Sequence, residues 1–150
     1  RQMCIRDSAQ VIRPYLELLI PEDSNNPTIL FFYVGAFGHL DLLQDIAEPY
    51  KDKIDWNFCN EYGKTLLHIH AQEGNLAIVD YLLNKGADYN KQTFCYEKRN
   101  EEDEEEDIFL DKTPLHYAAQ YRQEAVVKRL LDAGSNVTID DHFNKLPLHY

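Results

Sequence analysis

Basic residues are scarce in this chain: 15 Lys and Arg stand against 26 Asp and Glu, a formal charge of -11. That balance argues against nucleic acid or an anionic membrane surface as a partner, since both attract cations. A protein partner with a basic surface is easier to accommodate. Cysteine is scarce too, and Cys4, Cys59 and Cys95 are odd in number and scattered. They build no disulfide framework and fit a reducing, intracellular compartment, cytoplasmic or nuclear. No apolar run approaches the roughly 18 residues that span a bilayer, and no basic-plus-apolar leader opens the sequence, so direct membrane insertion is not expected. Gly35, Gly38, Gly63 and Gly74 are separate turn or packing glycines and form no phosphate-binding loop. The six histidines and three cysteines do not fall at zinc-ligand spacings, and no nucleophile or acid–base set stands out. The reading is a non-catalytic chain with no expected cofactor or metal.

What the sequence does contain is a period. Thr113-Pro114-Leu115-His116-Tyr117-Ala118 is followed 33 residues later by Leu146-Pro147-Leu148-His149-Tyr150. Thr65-Leu66-Leu67-His68-Ile69-His70-Ala71 has the same character, and its register runs on so that residues 74–90 align with residues 122–138. A weaker copy begins near Ile29, where Gly38-His39-Leu40-Asp41-Leu42-Leu43 matches the segment at Gly74, and Asp55-Trp56-Asn57 matches Asp88-Tyr89-Asn90. Each copy carries the punctuation of a helical hairpin. Thr113 can cap a helix whose first turn holds Pro114, because its hydroxyl accepts an orphan amide hydrogen and proline lacks one. Leu115, Ala118 and Ala119 give that helix a small apolar side. A second helix runs from about residue 124 to 132, with Val126, Val127, Leu130 and Leu131 towards other repeats and Lys128 and Arg129 towards water. Gly134 ends it in a left-handed conformation. The middle copy repeats the pattern through Leu67, Ile78, Val79, Leu82, Leu83 and Gly86. Helix pairs are expected near residues 30–48, 66–85 and 114–132, with little strand.

These segments resemble ankyrin repeats, carrying that family's T-P-L-H-x-A signature and its G-A-D-x-N ending across residues 27–150. The resemblance implies an all-α solenoid of stacked helix-turn-helix units with projecting hairpin-like loops. It also implies that His68, His116 and His149 tie helix starts to loops by hydrogen bonds. The repeat motif positions are Thr65, Leu67, His68, Gly74, Gly86, Asn90, Thr113, Pro114, Leu115, His116, Gly134, Pro147, Leu148 and His149. Several positions depart from the family pattern. Leu66 replaces the proline, Leu146 the threonine, Arg122 the turn glycine, and Ser135-Asn136 the usual Ala-Asp. The first copy lacks the threonine, proline and histidine, although Phe31, Val34, Leu42, Leu43 and Ile46 are spaced to seal the end of a core.

The domain layout comes from this register. Residues 1–26 form a helical cap or a degenerate repeat, with Ile5, Ala9, Ile12, Leu16 and Leu19 at helical spacing and a break or kink at Pro14. Residues 27–59, 60–92 and 111–143 are three repeats, and residues 144–150 begin a fourth, so more protein is expected beyond Tyr150. Between Asn90 and Thr113 there are 23 steps where Thr138 to Leu146 takes eight, placing fifteen extra residues in the inter-repeat loop. That insertion, residues 93–110, carries Glu101, Glu102, Asp103, Glu104, Glu105, Glu106 and Asp107 in one run. Seven adjacent carboxylates repel one another and belong in water. They form either a solvated loop or an arm that steers a basic partner. Cys95, Tyr96, Ile108 and Phe109 are placed to anchor its ends.

Two functional readings remain open. One is a non-catalytic interaction scaffold using loop tips and the concave face that first helices line in this family. The other is a targeting or substrate-recruiting module of a larger enzyme or effector whose catalytic domain lies elsewhere. In addition, Leu82 through Asn90 resembles ankyrin loops modified by an asparaginyl oxygenase, in which case Asn90 would be hydroxylated.

Overall fold

The computed structural model describes residues 28–94 and 111–150. The expectations for residues 1–26, and those for Glu101 to Asp107 and the anchors around them, lie outside the described residues. Among the described residues, six α-helices form three successive hairpins: α1 (Thr28–Ala36) with α2 (Leu40–Ala47), α3 (Leu66–Glu73) with α4 (Leu76–Asn84), and α5 (Pro114–Gln120) with α6 (Glu124–Ala133). Short 3-10 turns lie at Glu48–Tyr50 and Pro147–His149. No strand occurs among the described residues. One isolated antiparallel bridge, Cys59 to Thr65, closes the loop ahead of α3.

The hairpins stack because each has an apolar side that it cannot bury alone. Phe31 and Leu43 of the first, Leu67, Ala71, Val79 and Leu82 of the second, and Leu115, Ala118, Val126 and Leu130 of the third share one continuous core. Val34 and Leu42 form a smaller cluster with Ile46 on the first hairpin. The proline missing at residue 66 is compensated by packing. Leu66 is buried and faces Gly35 of α1, where a Cβ would lie 2.6 Å from one Leu66 methyl and 2.9 Å from a Leu43 methyl. The glycine lets the first two hairpins approach closely, and the leucine fills the space.

Two assignments of helix faces need correction. Leu131, expected to face other repeats, is 42% exposed. It lies one helical step past Leu130, which is fully buried, and so turns to the open side of α6. Arg129, expected to point to water, is half-buried and reaches across to the Asp80 carboxylate on α4. A long guanidinium stem can cover apolar surface while its head finds a partner on the neighbouring repeat.

Helix ends obey the sequence punctuation. Gly74 (φ 78°) and Gly134 (φ 99°) cap α3 and α6 in the left-handed region. Arg122, at the position of Gly74 in the third hairpin, adopts φ 57° as a non-glycine residue.

Candidate protein-binding surface

The starts of α3 and α5 are built alike. The Thr65 hydroxyl accepts from the His68 backbone N–H, and the Thr65 N–H donates back to His68 Nδ1 at 3.1 Å. Thr113 and His116 repeat the exchange at 3.2 Å. With Nδ1 accepting, the proton sits on Nε2 and donates outward. His68 Nε2 reaches the Lys91 and Lys112 carbonyls at 3.0 and 3.1 Å, and His116 Nε2 reaches the Lys145 carbonyl at 3.0 Å. Burial holds His68 at about 3, against an ordinary 6.5, although its two carbonyl partners act the other way. Burial likewise lowers His116. Both imidazoles act as tethers, one ring nitrogen accepting and the other donating. His149 is exposed and Leu146 offers no hydroxyl, yet the Leu146 N–H still donates to His149 Nδ1 at 2.9 Å.

The residues on either side of the insertion meet at one point. His68 holds Lys91 ahead of it and Lys112 after it. Thr93 N–H donates to the Lys112 carbonyl at 3.0 Å, and Lys112 N–H donates to Thr93 Oγ1 at 3.0 Å. Phe94 N–H donates to the Tyr62 carbonyl at 2.9 Å. Gln92 spans two repeats, donating to the carbonyls of Asp111 and Asp140. Chain leaves and re-enters the stack at the same place, so the extra length does not separate α3 from α5.

A second periodic contact runs beside these tethers. Lys64 Nζ donates to Gln72 at 2.8 Å and lies 4.6 Å from the centre of the Tyr117 ring in the next hairpin. Lys112 Nζ donates to Gln120 at 2.7 Å and lies 4.4 Å from the Tyr150 ring. A cation over an aromatic face is attracted by the ring quadrupole. Tyr150 also donates its hydroxyl to the Asp141 carboxylate, and that bond adds to burial in raising the phenol's pKa. This ladder was not anticipated, although its signal is visible as Lys64 and Lys112 just before the capping threonines and Tyr117 and Tyr150 four residues after the starts at Thr113 and Leu146.

At the loop tips, side-chain amides join adjacent repeats. Asn57 Oδ1 accepts from Asp88 N–H at 2.6 Å, and Asn90 Oδ1 accepts from Asn136 N–H at 2.8 Å. The amide oxygen of Asn90 is thus engaged with the next repeat. Other side chains at the tips remain open to solvent. Phe94 is 52% and Phe143 54% exposed. The Phe143 ring stands edge-on to His142, whose Nδ1 lies 3.8 Å from the Asp111 carboxylate. Another open place lies on the third hairpin, where Ala119, Val127 and Leu131 line a depression of about 470 Å³ rimmed by Arg122, Glu124, Lys128 and Asp132. No cluster able to hold a metal ion, and no helix long and apolar enough to cross a membrane, occurs among the described residues.

Sequence profiles agree with this geometry. The profile described as ankyrin repeats (3 copies) matches residues 13–93, and that of the single ankyrin repeat matches residues 111–142. The chain belongs to the ankyrin-repeat family. The stretch between the two ankyrin matches contains the acidic run, and the first match starts ahead of residue 27. An ankyrin and IPT/TIG repeat-containing protein of Schizosaccharomyces pombe is 27% identical over 139 residues, which cover 91% of this chain and 10% of that protein. The E3 ubiquitin-protein ligase hecd-1 of Caenorhabditis elegans is 30% identical over 115 residues, 77% of this chain and 4% of the ligase. Rabankyrin-5 of Mus musculus is 34% identical over 86 residues, 57% of this chain and 7% of that protein. The ankyrin module thus spans a tenth or less of these relatives. Ankyrin repeats are non-catalytic modules that mediate protein binding.

Proposed function

We propose that this ankyrin module is a scaffold that holds a partner protein across its loop tips and the adjoining side of its first helices. The observation that carries the reading is the pair Phe94 and Phe143, each more than half exposed on loops fixed from below by Gln92, Thr93 and Asp141. Large aromatics on a rigid base offer contact area at small entropic cost, which is why such residues dominate interface energetics. The acidic run at residues 101–107, which follows Phe94 in the sequence, favours a partner with a basic surface, and the negative chain as a whole disfavours nucleic acid. The cysteine usage favours an intracellular setting. Residues 144–150 read as the opening turn of a fourth repeat, because His116 takes the Lys145 carbonyl as His68 takes that of Lys112.

A second reading, recruitment of substrate to an enzyme encoded in the same longer chain, is favoured by the similarity to short stretches of E3 ubiquitin-protein ligases from two animals. The test is affinity capture from cell extract with the intact ankyrin module, a Phe94→Ala/Phe143→Ala variant, a variant lacking residues 97–107, and Lys128→Ala as a control on α6. Proteins retained by the parent and the control but lost from the double variant, with an unchanged thermal transition, support the loop-tip surface. Equal retention by all four overturns it.

A further inference from the structure

His70 is the buried ionisable group that the repeat architecture does not require. The third hairpin has Ala118 at the same position, one residue before the second small alanine of the signature. His70 is fully buried. Its Nε2 lies 2.9 Å from the Gly35 carbonyl at the end of α1, while Nδ1 lies 3.1 Å from the Asn75 amide nitrogen. Asn75 also donates to Glu73 at 3.0 Å, which fixes the amide with its nitrogen towards the imidazole. Since Nδ1 must accept there, the proton is on Nε2 and the ring is neutral. A second proton, on Nδ1, would meet an amide donor.

The location gives this bond a particular reach. The tethers made by His68 and His116 bind the second and third hairpins to the segments on their C-terminal side. The first hairpin has no such histidine, and His70 reaches back to supply a tie between the helices of the first two hairpins. Asn57 ties their loops. We propose that His70 is an acid-sensitive latch: neutral, it fastens the first hairpin to the second, and its protonation on release weakens that junction.

Titratable groups on the surrounding elements do little to oppose this. α1 contributes no carboxylate, amine or imidazole to its sequence, and His39 and Asp41 at the start of α2 are exposed. Asp80 on α4 is paired with Arg129 of α6, and His116 of α5 is turned to the Lys145 carbonyl. Glu73 is the carboxylate within reach, 3.5 Å from Nδ1, and it favours the charged ring. Burial outweighs it and the Gly35 bond together, so the docked imidazole sits below its ordinary range. A group that protonates more readily when released than when docked stabilises the docked form above the released-state pKa and loses that contribution as pH falls.

The single tryptophan reports on the junction, because Trp56 packs edge-on to Phe31 of α1 at 4.9 Å and to Tyr81 of α4 at 5.9 Å. The experiment monitors Trp56 fluorescence in urea, and amide hydrogen exchange corrected for intrinsic rates, at about pH 7.5 and about pH 5. An imidazole of ordinary pKa that protonates only on release weakens docking up to about thirty-fold over that interval. Protection of residues 28–47 is expected to fall by up to that factor through His70; burial lowers His68 and His116 too, so the later hairpins also lose protection in acid and the His70 variants supply the comparison. In His70→Ala, which installs the residue of the third hairpin, and in His70→Gln, which keeps a donor for Gly35, the acid-induced fall at residues 28–47 shrinks while that at residues 114–133 is unchanged; Glu73→Gln retains the parent's fall at residues 28–47. The same pH response at residues 28–47 in both His70 variants as in the parent overturns the latch.

Discussion

Ser135 shows how one atom separates this chain from its own better-packed copy. It stands where the second repeat has Ala87, and both are buried, but the Ser135 hydroxyl has no hydrogen-bond partner in the structure. A buried polar group without a partner costs about 1–3 kcal/mol. Ser135→Ala is therefore expected to raise stability by about 1 kcal/mol, read as a higher urea midpoint with an unchanged slope; a lower midpoint would mean that the hydroxyl is satisfied after all. A contrasting pair on α6 tests the helix faces. Leu130 is fully buried and Lys128 exposed. Truncating such a leucine to alanine typically costs about 2–5 kcal/mol, whereas a surface lysine changes stability by about 0.5 kcal/mol or less. Similar denaturation midpoints for Leu130→Ala and Lys128→Ala would show that the buried face is misassigned.

At the scale of the element, the turns between paired helices carry unequal strain. Gly38 and Gly74 take left-handed backbone without cost from a Cβ, while Arg122 holds φ 57° in the third hairpin. L-residues with side chains pay about 1 kcal/mol in that region. Arg122→Gly is expected to stabilise the α5–α6 hairpin by up to about 1 kcal/mol, visible as slower hydrogen exchange at residues 124–133. Unchanged or faster exchange would show that the arginine side chain gives back in contacts what its backbone loses. The hairpins also differ in how they are joined. His68 and His116 fasten the later ones through backbone carbonyls, and Lys64 and Lys112 add a contact with the next tyrosine along the stack. The first hairpin relies instead on close packing at Gly35 and on the bond from His70.

For the whole molecule, the pinned ends of the insertion separate stability from recognition. Thr93 and Lys112 close the excursion with paired hydrogen bonds, so removing residues 97–107 is expected to leave the thermal transition nearly unchanged. Shortening such a loop alters closure entropy only weakly. If the seven carboxylates steer a basic partner, they act at long range. The deletion, and a variant with the seven acids changed to Ser, Gln or Asn, should both associate more slowly at low salt. That difference should shrink as the Debye length falls from about 30 Å at 0.01 M to about 8 Å at 0.15 M. Stopped-flow association rates that match the parent at low salt would leave the run as a solvated loop.

Much of this architecture was legible in residues alone. The spacing of Thr65, His68 and Gly74, repeated at Thr113 and His116, is local chemistry: a hydroxyl, an imidazole and a glycine act within one or two helical turns, so a one-dimensional pattern marks the helix limits. The same holds for the extra length between Asn90 and Thr113, which counting reveals. Contacts between hairpins were decided only in three dimensions. That Leu66 fills the space over Gly35, that Arg129 turns to Asp80, and that Leu131 stays open all depend on how far each hairpin is rotated on its neighbour. Phe94 and Phe143 became a candidate surface for the same reason, since exposure is a property of what the rest of the chain leaves uncovered. His70 makes the division plain. In sequence it is a second histidine near His68, too few residues for a metal site; folded, it lies against a carbonyl 35 residues away, shielded from solvent, and that burial makes its charge state matter.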